Sequence, residues 1–169
     1  MTADRTQMHA FEGADSLLKE LSGALARCDE SFAAEILQRI TEEYGASDII
    51  TQYKLLTDLI ELKFDHIRPL LRQALRSNPS ALVRHEAAFG LGVFCNSEDN
   101  RVLVEAMLHD SHLMVRHEAA IALAITGDDS CLSALEKASH EEEVSVVESA
   151  EYAIRQIQLR LGISNLKDA

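Results

Sequence analysis

Two His-Glu dipeptides, His85-Glu86 and His117-Glu118, lie 32 residues apart, each inside the same hexapeptide: Val83-Arg84-His85-Glu86-Ala87-Ala88 and Val115-Arg116-His117-Glu118-Ala119-Ala120. Imidazole nitrogen beside carboxylate oxygen is ligand chemistry for iron or zinc. A repeat of this period announces stacked helical units, in which equivalent residues meet by translation. Equivalent helices then lie side by side with axes about 8–10 Å apart, a gap that two imidazoles at one height can close around a single ion. Glu86 and Glu118 follow about 100° further round their helices and can enter from the flank. Two imidazoles with one or two carboxylates and open positions suit non-haem iron. Zinc takes the same ligands, so the spacing does not fix the metal. The competing reading makes Arg-His-Glu ordinary solvated surface on a repeat helix.

A third copy of the unit weighs toward ligation. Val146-Val147-Glu148-Ser149-Ala150-Glu151-Tyr152-Ala153-Ile154 fits the same apolar frame at a spacing of 31 residues, with Glu148-Ser149 where His-Glu stood. The frame persists without the dipeptide, so the frame serves packing and the dipeptide serves something else. Arg84 and Arg116, at the start of each unit, are expected to pair with carboxylates of neighbouring units. His109 and His112 form an H-x-x-H around Asp110 and read as a capping loop between helices, with a second, adventitious metal site as the alternative; His66 falls in the first turn of its helix, and His9 and His140 have no ligand-like neighbours.

The elements that must position these residues are helices. Residues 1–13 read as a loose N-terminal tail and residues 14–169 as a single domain. Leu17, Leu18, Leu21 and Leu25 make one apolar stripe from Asp15 onward. A second helix is expected over Ser31–Tyr44 with Gly45 as its stop, and a third over Asp48–Lys63. Asp65 can cap a short helix carrying Pro69 in its first turns. The first His-Glu helix is expected to start with Asn78 as N-cap and Pro79 as the first helical residue. Its partner covers about Glu98–His109, and Asp110-Ser111 caps the second His-Glu helix, which runs to Thr126. After a turn at Gly127-Asp128-Asp129, a return helix covers Ser130–His140 and a last helix Val144–Leu161 ends at Gly162.

Composition agrees with an all-α solenoid. The 169 residues are 47% hydrophobic but only 5% aromatic, without Trp and with two prolines, a balance suited to close helix packing in one domain. The formal charge of −12 disfavours nucleic acid, whose phosphates it repels, and raises the encounter rate of cationic ligands. Cys28, Cys95 and Cys131 never form C-x-x-C and read as reduced, buried thiols of a cytoplasmic protein. No apolar run reaches the roughly 18–20 residues that a membrane span needs, and no secretory signal is visible at the N-terminus. Nucleotide-binding and hydrolase motifs are absent from the sequence.

The doubled motif, from Ala81-Leu82-Val83-Arg84-His85-Glu86 to Met114-Val115-Arg116-His117-Glu118, followed by a unit without it, resembles one half of the deoxyhypusine hydroxylase family. That family consists of HEAT-repeat non-haem diiron monooxygenases with four His-Glu motifs, two in each of two related halves that face each other across the irons. The resemblance covers about residues 48–161 and implies a HEAT-like α-α superhelix, with His85, Glu86, His117 and Glu118 as iron ligands or nearby carboxylates. Glu86 and Glu118 would then balance the iron charge and relay protons, with O2 as cosubstrate. This chain has two His-Glu motifs, so the resemblance implies a homodimer holding two non-haem irons between its protomers. A lysine-containing or small cationic substrate is the expected partner. A HEAT-repeat scaffold without catalysis is the alternative, and a bilin-lyase-like repeat protein ranks below both.

Overall fold

The computed structural model describes residues 5–163, and for 5–12 the backbone alone. Every regular element among the described residues is helical. The chain divides into two compact units, Met1–Leu70 and Leu71–Ala169, where length alone suggests one domain over 14–169.

The first unit holds α1 (Arg5–Ala26), α2 (Glu30–Ala46) and α3 (Ile49–Glu61), with α1 packed on the other two. Helix α1 takes in residues from Arg5 onward that the sequence reading leaves as tail; nothing in that stretch breaks a helix, since it lacks proline. Asp29 and Asp48 cap α2 and α3 by accepting from the amides of Phe32 and of Ile50 and Thr51, as short acidic side chains do. Gly45 does not stop α2. The helix passes through it to Ala46, and Ser47 closes the end by donating its amide to the Tyr44 carbonyl and its hydroxyl to that of Glu43. Leu21, Ile36, Ile40, Leu55, Leu56 and Leu59 form the core.

Helix α4 (Arg68–Ser77) crosses the boundary between the units; it follows a 3-10 turn over Asp65–Ile67, which replaces the expected Asp65 cap. The second unit then builds two repeats and a closing helix: α5 (Ala81–Phe94) with α6 (Asn100–His109), α7 (Leu113–Thr126) with α8 (Leu132–Ala138), and α9 (Val144–Leu161). A 3-10 turn opens each return helix, over Ser97–Asp99 before α6 and Asp129–Cys131 before α8. Helix α7 is the centre of the unit, packed against α5, α6 and α9.

The helices come close because their shared faces are small. Ala87, Ala88, Ala119, Ala120, Ala150 and Ala153 are fully buried. A Cβ added at Gly92 would lie 3.1 Å from the Ala122 Cβ and 3.2 Å from its Cα, so α5 and α7 approach to the limit set by glycine. Gly127 is tighter still, since a Cβ there would stand 2.5 Å from the Leu123 carbonyl oxygen and 2.7 Å from Ile157 Cδ1.

Both His-Glu helices start later than expected, and for one reason. Asn78 and Asp110 are not N-caps; each accepts the amide of the residue two further on, Ser80 at 2.9 Å and His112 at 2.8 Å. These Asx turns make Ser80 and His112 the cap residues, and His112 Nδ1 accepts from the Met114 amide. His112 is therefore a helix cap, in keeping with the capping-loop reading of H-x-x-H.

Candidate functional site

A ladder of arginine contacts fixes how high each His-Glu helix sits. Arg84 grips Asp110 through two bonds, Nε to Oδ2 at 2.6 Å and Nη2 to Oδ1 at 2.8 Å, and donates to the Asn78 carbonyl. One repeat on, Arg116 pairs with Glu141 at 3.2 Å and donates to the Asp110 carbonyl. The geometry repeats by translation, as the expected pairing with neighbouring carboxylates requires. Burial by itself pushes the Asp110 carboxyl up; the Arg84 guanidinium and the His112 amide outweigh it and hold the group below its usual value. The bond to Asp110 in turn raises Arg84. Arg160 of α9 closes the other end by donating to the carbonyls of Ala124 and Gly127.

With the helices so placed, the dipeptides meet on a diagonal. His85 Nε2 of α5 faces Glu118 Oε2 of α7 at 3.3 Å, with side chains 29% and 14% exposed. His117 of α7 meets Ser149 of α9, Nδ1 to Oγ at 2.6 Å, and its Nδ1 also lies 3.2 Å from the Ser145 carbonyl oxygen. By the repeat spacing, Ser149 occupies the register of Glu118. In both helix pairs the histidine of one unit therefore contacts the second dipeptide position of the next. Glu86 has no histidine-bearing unit before it; it is buried, and no hydrogen bond or ion pair engages it among the described residues.

The structure thus joins His85 to Glu118, sends His117 to Ser149, and leaves Glu86 on its own. Among the described residues of one chain no cluster of three or more His, Cys, Asp or Glu is placed to hold a metal ion. The donor chemistry still suits one. An ion with ligands at about 2.1 Å, separated by 90–109°, holds neighbouring donor atoms about 3.0–3.4 Å apart, which is the spacing of His85 Nε2 and Glu118 Oε2. Metal-binding histidines characteristically tie their other ring nitrogen to a carbonyl or similar group, as His117 does through Nδ1. The donors of one chain fit a metal in kind and are too few, among the described residues, to hold one.

Sequence reasoning missed Ser149. It registered the third unit as lacking the dipeptide, although its alignment with Glu118 was the signal that it faces His117. The cysteine expectation holds for Cys131, which is buried, and is corrected for Cys28 and Cys95, which are exposed. Cys28 follows α1 and Cys95 ends α5, both with positive φ, at surface turns. No helix among the described residues is long and apolar enough to cross a membrane.

Comparison with known proteins adds two findings. A family model described as HEAT repeats matches residues 68–155. The structure of human deoxyhypusine hydroxylase in complex with glycerol is similar at 23% identity and a TM-score of 0.59, over 93% of this chain and 48% of that one. At that identity the likeness is one of fold, and the chain spans about half the length of the enzyme it matches. No curated protein matches it in sequence.

Proposed function

We propose that this chain, which belongs to the HEAT-repeat family, is an oxygen-activating non-haem iron protein, a hydroxylase or monooxygenase, whose centre is completed by a second copy of itself. The observation that carries the reading is the approach of His85 Nε2 to Glu118 Oε2 at 3.3 Å across α5 and α7. Duplication of the dipeptide thereby sets an imidazole and a carboxylate at ligand spacing on two different repeats. Glu86, which no hydrogen bond or ion pair engages among the described residues, supports it by leaving its carboxylate open to a cation.

His85 and His117 would hold the metal by imidazole nitrogen, with Glu86 and Glu118 supplying negative charge and accepting protons at their carboxylate oxygens. Iron held this way would supply activation of O2 for insertion into a C–H bond. The donors of one chain are too few, and a C2 dimer presents the same patch twice across its axis, giving two irons per dimer. The surface around the dipeptides favours such a contact. At 100° per residue, Leu82, Phe89 and Val93 fall within the arc between His85 and Glu86 on α5, and all three are exposed. Met114 and Ile125 fall in the same arc of α7 and are exposed as well. Exposed apolar side chains bordered by polar ones mark an interaction surface.

A cytoplasmic location and a cationic substrate, a lysine side chain or a small amine, belong to the same proposal; the charge of −12 favours the latter. The match to HEAT repeats favours a second reading, a scaffold that binds partner proteins through its repeat surface. Light scattering with iron quantitation separates them. The iron reading expects a dimer with two irons, and a His85→Ala variant that loses iron while keeping its helical circular dichroism. A monomer that binds no iron leaves the scaffold reading standing.

A further inference from the structure

The hydroxyl of Ser149 sits where the repeat carries a glutamate, and its bonds fix more than a contact. Ser149 is buried on α9. Its Oγ donates to the Ser145 carbonyl at 2.6 Å, the back-bond one turn upstream that helical serines favour. A hydroxyl has one proton, so with that proton on the carbonyl the oxygen can only accept from His117 Nδ1, 2.6 Å away. The same Nδ1 lies 3.2 Å from the Ser145 oxygen, and a carbonyl oxygen also only accepts. Both neighbours require a proton on His117 Nδ1. In the neutral ring Nε2 is then left with its lone pair.

We infer that Ser149 is a positioning residue: with the Ser145 carbonyl it holds His117 in the Nδ1-protonated form and aims an unprotonated Nε2 for metal binding. The metal half of this statement rests on the iron reading above; the tautomer half stands on the hydrogen bonds alone. The substitution of glutamate by serine in the third unit therefore ends the ligand series and anchors its last histidine. His85 is held differently. Its Nε2 faces the Glu118 carboxylate at 3.3 Å, an acceptor, so in the metal-free protein that nitrogen carries the proton. The two histidines of an apparently exact sequence repeat thus present opposite nitrogens.

The test uses full-length, metal-free, 15N-labelled protein at a fixed pH of about 8, where ordinary imidazoles are neutral. Long-range proton–nitrogen correlation spectra distinguish the two tautomers, and a His117→Gln variant identifies the His117 signals. The expected result is protonated Nδ1 and unprotonated Nε2 at His117. Ser149→Ala should shift the ring toward the other tautomer, and Ser149→Thr should restore it; circular dichroism checks that each variant is folded. A wild-type His117 protonated at Nε2, or a Ser149→Ala spectrum unchanged from wild type, overturns the assignment. Ferrous iron titration of the same samples forms the second arm. Removing such a supporting group lowers metal affinity by about 10–100-fold, and the expected loss for Ser149→Ala lies in that range, with recovery in Ser149→Thr. Undiminished affinity in a Ser149→Ala protein whose tautomer has changed overturns the positioning role. Wild-type protein that binds no iron instead refutes the iron reading, and the spectra still decide the tethering.

Discussion

Replacing Asp110 by asparagine tests the physics that sets the height of the site. Asp110 receives a two-pronged guanidinium from Arg84 at 2.6 and 2.8 Å, and the two side chains are only 12% and 7% exposed. Breaking a buried ion pair from one side costs about 3–5 kcal/mol, because the remaining charge stays buried without its counterion. Asparagine retains an oxygen for the His112 amide that Asp110 now accepts, so Asp110→Asn belongs at the lower end, about 3 kcal/mol. For a chain of this size each kcal/mol moves Tm by about 2–4 °C, giving a fall of about 6–12 °C at pH 7. The loss must also depend on pH. The folded carboxyl is held below its usual 3.8, so it contributes stability that is complete above that value and is lost as pH falls through the lower, folded one. Thermal and urea unfolding followed by circular dichroism, at pH 7 and stepwise below pH 3.8, should show the gap between wild type and Asp110→Asn closing on acidification. An equal Tm at pH 7, or a gap that is the same at every pH, would refute the assignment of the pair as a buried, charge-dependent brace.

Three further outcomes follow from the packing. Gly127→Ala forces a Cβ to within 2.5 Å of the Leu123 carbonyl oxygen and 2.7 Å of Ile157 Cδ1, and should cost about 1–3 kcal/mol in urea unfolding. Thr126→Val removes the 2.8 Å bond to Asn100 Oδ1 at a buried site, leaving that oxygen without its donor for a cost of about 1–3 kcal/mol; Thr126→Ser, which keeps the hydroxyl, should lose less. In the folded protein a thiol reagent should modify Cys28 and Cys95 quickly and Cys131 slowly, since Cys131 is buried and burial pushes its thiol up; mass spectrometry of labelled peptides reads this out, and equal rates would contradict the burial.

The repeat was legible because packing imposes a period. Val83, Ala87, Ala88, Val115, Ala119, Ala120, Val146 and Ala150 are all fully buried, so one frame recurs wherever one helix must lie against the next. The role of Arg84 and Arg116 was legible for the same reason, although not the identity of Asp110 and Glu141 as their partners, since these lie across a whole helix in sequence. Helix starts were misread at Asn78 and Asp110 because one short polar side chain serves a cap or an Asx turn equally well. Gly45 was misread because a glycine can end a helix only where the chain turns away, and Ser47 carries α2 past it.

The sequence by itself determined that the molecule is all-α, that its units repeat about every 32 residues, and that chemistry of the imidazole–carboxylate kind sits on two of them. It left open which side chain meets which. That depends on how far adjacent helices are offset along their axes and how closely they approach, and both are set by contacts distant in sequence: the Arg84–Asp110 and Arg116–Glu141 braces and the Gly92–Ala122 approach. A shift of one residue along either helix would turn the side chains by about 100° and part His85 from Glu118. Only the tertiary structure, therefore, decided that His85 faces a carboxylate through Nε2 while His117, its exact counterpart in the repeat, faces a serine through Nδ1.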